Sequence, residues 1–114
     1  GDTMEFTTQV GPVTTQPQFK RILSMIDTAK AEGAFVARAE GSGPTECGDG
    51  WFIEPTVFSG VKNHMKIAQE EVFGPVLSVI RFSDDEEAYH IANDALWAGR
   101  RGVDHRHGVI PITW

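Results

Sequence analysis

The run Val76-Leu77-Ser78-Val79-Ile80-Arg81-Phe82 limits the possible folds more than any other segment of this chain. It is apolar and β-branched almost without interruption, the pattern of a strand covered on both faces, as in a parallel sheet. Neighbouring segments must then supply the cover. Upstream, Phe19, Ile22, Leu23, Ile26 and Ala29 recur at helical spacing and give one apolar face. Thr15-Gln16-Pro17-Gln18 opens that helix as a capping box, with Thr at the N-cap, Gln three residues on and Pro inside the first turn. Gly33 closes it. Downstream, Ser83-Asp84-Asp85-Glu86 reads as a second capping box whose acidic side chains suit the positive end of a helix dipole. Ala88, Ile91, Ala92 and Ala95 form the inner face of the helix that follows.

Shorter elements fill the intervals. Ala34-Phe35-Val36-Ala37 predicts a buried strand. Trp51-Phe52-Ile53 and Thr56-Val57-Phe58 flank Pro55 and predict extended chain at a sheet edge, because Pro cannot donate to a ladder. A short helix is expected from about Asn63 to Glu71, stopped by Phe73-Gly74-Pro75. Gly41-Ser42-Gly43-Pro44, continuing to Gly48-Asp49-Gly50, reads as a flexible connection. The alternation predicts an α/β fold with helices packed on a mostly parallel sheet. At 114 residues the chain is long enough for one domain with a modest core.

The formal charge of −6 repels phosphate, which excludes nucleic acid and anionic membrane surfaces as partners. Small molecules and other proteins remain. A single cysteine, Cys47, cannot close an internal disulfide and suits a reducing compartment. With no leader and no apolar run near bilayer length, the expectation is a soluble cytoplasmic protein with no membrane association. The opening at Gly1, with Met4 a few residues in, reads as an excerpt. The charge also changes sign along the chain. Residues 1–96 carry 7 Lys and Arg against 15 Asp and Glu, whereas residues 97–114 carry 3 against 1.

Ala68-Gln69-Glu70-Glu71-Val72-Phe73-Gly74-Pro75-Val76 resembles the E-E-x-F-G-P-V signature of the aldehyde dehydrogenase superfamily. Thr8-Gln9-Val10-Gly11-Pro12, Gly50-Trp51-Phe52-Ile53-Glu54-Pro55-Thr56-Val57-Phe58 and Ile91-Ala92-Asn93-Asp94 resemble neighbouring blocks of that family, in its order and at about its spacing. The resemblance runs from Gly1 to about Leu96. It implies a catalytic-domain segment over residues 1–96, from the part after the nucleophilic cysteine, and a tail of different character over 97–114. The activity implied is NAD(P)-dependent oxidation of an aldehyde to a carboxylic acid by a homo-oligomeric enzyme. In that chemistry a cysteine thiolate adds to the carbonyl, hydride passes to NAD(P), and water releases the acyl group. The nucleophile, the general-base glutamate, the oxyanion donors and the dinucleotide-binding domain are not found in this sequence. No catalytic residue is therefore assigned, and the chain alone is expected to be inactive. The alternative is a non-catalytic module that binds another protein through strand edges and the tail.

The resemblance gives Glu71 and Phe73 cofactor-binding roles, and their chemistry agrees. An ionised carboxylate only accepts hydrogen bonds, so one glutamate can receive both vicinal hydroxyls of a nicotinamide ribose. An aromatic ring two residues on can wall the nicotinamide and hold the hydride acceptor near the substrate carbon. Glu70 is read as solvent-facing, and Gly74 and Pro75 as backbone geometry, with Gly supplying permissive dihedrals. Cys47 is not taken as the nucleophile, because Glu46 and Asp49 disfavour a thiolate. Asp104-His105-Arg106-His107 lacks a second cluster to complete a metal site, so no metal is expected.

The tail departs from the family pattern after Asn93-Asp94-Ala95-Leu96. Suitably chosen codons for residues 97–107, read one base later, spell Gly-Leu-Ala-Ala-Ala-Val-Trp-Thr-Thr-Asp, which resembles the family's continuation. A reading-frame shift near Trp97 would account for this and for the charge reversal. Residues 97–114 are then expected to pack poorly, having no selected core pattern.

Overall fold

The computed structural model of the chain describes residues 2–38, 50–94, 100–101 and 107–113. Helix α1 (Gln16–Ala31) begins where the sequence puts it, with the Thr15 side chain accepting from the Gln18 N–H at 3.4 Å and Pro in the first turn. Gly33 follows its end at φ 98°, a left-handed backbone that favours glycine. Strand β1 (Phe35–Arg38) leads to strand β2 (Thr56–Ser59), helix α2 (Lys66–Gln69) and strand β3 (Val76–Arg81). Helix α3 (Asp85–Asn93), strand β4 (Arg100–Arg101) and strand β5 (Val109–Thr113) complete the order.

These strands form one sheet in the order β1-β2-β3-β5-β4. The α/β class holds, but the sheet is mixed rather than mostly parallel. Only β2 and β3 pair in parallel; β1 with β2, β3 with β5, and β5 with β4 are antiparallel. The expectation followed strands linked through helices, and β2, β3 and β4 do share one direction. What breaks the pattern is β5, which inserts between β3 and β4, and β1, which reverses against β2.

Strand β3 is central, as its apolar run requires. Its two faces are not equivalent, however: Val76, Ser78 and Ile80 are buried, while Leu77 and Val79 are half-buried. β1 is the edge instead of a buried strand, with Phe35 71% exposed and a register shift between Val36 and Arg38. β2, expected at an edge, lies inside the sheet. Pro55 precedes its first residue, so the missing N–H falls outside the ladder.

Helix α2 is shorter than the expected span because Met65 and Glu70, at its two ends, are both extended, at ψ 145°. The cap of α3 sits one residue later than Ser83-x-x-Glu86 suggests. Asp84 accepts from the Glu87 N–H at 2.9 Å, and Glu87 in turn accepts from the Ser83 N–H at 2.7 Å.

One core joins these elements. Ile22, Met25, Ile26 and Ala29 of α1 meet Phe58, Ile67, Val72, Val76, Ile80, Ala88 and Ile91, all buried; Phe19, Leu23 and Val79 are only partly covered. Among the described residues no helix is long and apolar enough to cross a membrane.

The expectation of a poorly packed tail is corrected over residues 109–113. β5 pairs with β3 from Leu77↔Thr113 to Arg81↔Val109, and Ile110 is fully buried. Val109 and the Ile110-Pro111-Ile112 stretch are apolar enough to continue a sheet whose central strand needs a second neighbour. Ile110→Ala should therefore destabilise the fold by about 2–5 kcal/mol, the range for emptying a buried isoleucine site. Equilibrium urea unfolding measures this, and an unchanged midpoint would mean that β5 is not part of the core.

Candidate functional site

The signature segment forms an irregular turn between α2 and β3, at one end of the central strand. Glu70 leaves the helix in extended conformation, and the chain reaches Val76 through Glu71, Val72, Phe73, Gly74 and Pro75. Val72 is 1% exposed and anchors the turn in the core. Glu71 is half-buried, and Phe73 presents a ring that is 63% exposed. Among the described residues the Glu71 carboxylate makes no hydrogen bond or ion pair. Glu70 behaves as expected for a solvent-facing group. Its carboxylate lies 3.8 Å from Arg21 and 3.9 Å from Lys66, all three about half-exposed, so these pairs contribute little.

Phe73 has φ 55°, the left-handed region that a residue with Cβ enters at a cost. The unusual dihedral of this turn thus falls on the phenylalanine and not on Gly74, contrary to the expectation from sequence. Gly74 serves a different need. A Cβ at that position would lie 2.5 Å from Ile22 Cδ1 and 2.9 Å from its Cγ1, and Ile22 is fully buried in α1. Glycine is required because helix and turn touch. Pro75 accepts at its carbonyl from the Thr56 N–H at 2.9 Å, tying the turn to the start of β2. A shallow depression of about 270 Å³ opens beside it, lined by Pro55, Thr56, Val57, Gly74, Pro75 and others.

Two further residues belong to this site and were missed in the sequence. Gln18 Nε2 donates to the carbonyls of Val72 (3.0 Å) and Phe73 (2.8 Å), and Arg21 Nη2 donates to that of Glu71 (2.9 Å). The capping-box pattern predicts that the Gln18 amide turns back to Thr15; it reaches across to the turn instead. Two polar residues at i, i+3 beside the fully apolar position Ile22 were the available signal. Cys47 and residues 104–106 of the Asp-His-Arg-His stretch lie outside the described residues; His107 is exposed.

The model of the aldehyde dehydrogenase family matches residues 1–103. Betaine aldehyde dehydrogenase of Brucella anthropi is 44% identical over 104 residues, which is 90% of this chain and 21% of that protein. A long-chain-aldehyde dehydrogenase of an Acinetobacter species is 46% identical over 103 residues, covering 90% of this chain and 20% of its own length. Among solved structures, the Mycobacterium tuberculosis aldehyde dehydrogenase complexed with NAD+ superposes with TM-score 0.78 at 39% identity, over 88% of this chain and 20% of that one. Betaine aldehyde dehydrogenase of Staphylococcus aureus, also in complex with NAD+, gives TM-score 0.75 at 40% identity, over 87% and 19%. The chain thus spans about a fifth of the length of the curated relatives it matches.

The contact between Gly74 and Ile22 can be tested alone. Gly74→Ala should destabilise by about 1–3 kcal/mol, the range for overfilling a packed interior, because a Cβ would press on three side-chain carbons of the fully buried Ile22 and force it to shift. Thermal unfolding beside the Gly33→Ala variant separates this from backbone strain, since nothing lies within 4 Å of a Cβ at Gly33. With the family model matching residues 1–103 and a solved aldehyde dehydrogenase superposing over 88% of the chain at 39% identity, this chain belongs to the aldehyde dehydrogenase family.

Proposed function

We propose that this chain is the part of an NAD(P)-dependent aldehyde dehydrogenase that receives the nicotinamide end of the cofactor, and that it turns over nothing by itself. The observation carrying this reading is the half-buried carboxylate of Glu71, without a partner among the described residues, two residues from the exposed ring of Phe73 on one turn. These groups suit the cofactor. A carboxylate offers only acceptors, and a ribose offers two adjacent hydroxyl donors. When bound, NAD(P) supplies the hydride acceptor for oxidation of an aldehyde to a carboxylic acid. Glu71 orients the sugar, while Phe73 lays an apolar wall against the ring and keeps water from that side. Similar structures solved with NAD+ support the assignment. The thiolate, base and oxyanion donors belong to segments that this chain does not contain.

The reading extends to organisation. In this reading residues 1–96 are the catalytic-domain segment and 97–114 a non-family tail, within which the family match ends at residue 103; the change from net acidic to net basic supports a reading-frame shift near Trp97. The protein is cytoplasmic and homo-oligomeric in this reading. Exposed Phe6 and Phe35 support further cover in the assembled enzyme.

Purified chain should reduce neither NAD nor NADP with any aldehyde, as absorbance of the reduced nicotinamide reports, because two residues cannot offset the cost of immobilising a dinucleotide. Turnover that disappears in Cys47→Ser would overturn that expectation. In the full-length enzyme, Glu71→Gln should slow hydride transfer and weaken cofactor binding by about tenfold or more, the worth of a charge-assisted hydrogen bond. Unchanged cofactor kinetics would remove Glu71 from the site.

A further inference from the structure

We propose that Gln18 and Arg21 are positioning residues, whose side chains on α1 fix the backbone carrying Glu71 and Phe73 and so set where the site presents its carboxylate and its ring. The proposal rests on the cofactor reading given above. Three consecutive carbonyls of the turn, those of Glu71, Val72 and Phe73, each accept a hydrogen bond from one of these two side chains. Gln18 Nε2 donates to two adjacent carbonyls, at 3.0 and 2.8 Å, which restrains the relative rotation of two peptide planes. Arg21 adds the third at 2.9 Å.

That rotation decides where the side chains point. A peptide plane free to turn in an irregular segment swings the Cα–Cβ bond on either side of it. Here Phe73 stands at φ 55°, a conformation that persists only where the surroundings over-determine it. The Phe73 carbonyl held by Gln18 belongs to that same residue. Ile22, between the helix core and Gly74, sets the distance, and Gln18 and Arg21 beside it on the same helical face set the orientation. Arg21 is not mainly an ion-pair partner. Its contact with Glu70 is long at 3.8 Å and half-exposed, whereas its bond to the Glu71 carbonyl is short.

The test uses full-length enzyme with Gln18→Met, which keeps the side-chain volume but removes the donors, Gln18→Lys, which restores donors, and Gln18→Glu, which faces two carbonyls with a carboxylate. Three measurements are made: unfolding temperature, hydrogen exchange of the backbone amides of residues 70–74, and the dissociation constant of NADH from its fluorescence. Gln18→Met should leave the unfolding temperature nearly unchanged, speed exchange in residues 70–74, and weaken NADH binding by roughly tenfold, the worth of one or two hydrogen bonds. Gln18→Lys should recover most of that loss, and Gln18→Glu should be weaker than Gln18→Met. Unchanged exchange in Gln18→Met would overturn the brace. Faster exchange with unchanged NADH affinity, while Glu71→Gln loses affinity, would overturn the positioning role alone. Unchanged affinity in Glu71→Gln would overturn the cofactor reading and the positioning role with it.

Discussion

The close approach of α1 to the turn before β3 is the constraint on which the rest of this structure depends. At Gly74 the helix comes so near that only a hydrogen fits between the backbone and Ile22. This proximity brings Gln18 and Arg21 within reach of three carbonyls, and it lets Val72 enter the same core as Ile22, Ile26 and Val76. A wider spacing would leave the turn solvated and Phe73 free to leave its left-handed backbone. In this chain the signature segment is therefore a packing motif as well as a set of side chains: Gly74 gives room to Ile22, and Val72 fills the core while its carbonyl accepts from Gln18.

How much was legible in the sequence follows from how local each cause is. α1 could be read because its cap, its apolar period and its stop are contiguous, and β3 because its run has few other uses. The parallel pairing of β2 with β3 fits a helix-bearing connection, but the insertion of β5 does not, since nothing near Val109 specifies a neighbour 30 or so residues away. β1 misled for a related reason. Ala34 is buried, but the residues that follow lie on an unpaired edge, and edge or centre is a property of the sheet rather than of four residues.

The site divides in the same way. Glu71 and Phe73 stood out by resemblance, and their chemistry could be argued from functional groups alone. Gln18 could not, because a Thr-x-x-Gln pattern has an adequate local explanation at a helix start. The long-range bond competes with the local one and wins: its amide finds two carbonyl acceptors on the turn where the cap would have offered one donor to its oxygen. Position 74 was identified as glycine for the wrong physical cause, since close contact and positive φ leave the same mark in a sequence.

The side-chain bonds of the turn join residues 50, 54 and 55 positions apart. Contacts of that separation carry the entropy of closing a long loop before they return any energy, so they do not form early from local structure. Helix α1 can begin to form from its own cap and period; the turn has no such autonomy. Its order is inherited from the finished sheet, and β3 must be seated on β2 before the Glu71 and Phe73 backbone has a fixed course. A nascent chain passing through partly folded forms would hold a recognisable α1 and yet have no ordered turn before β3, which makes the course of residues 70–75 a late product of folding.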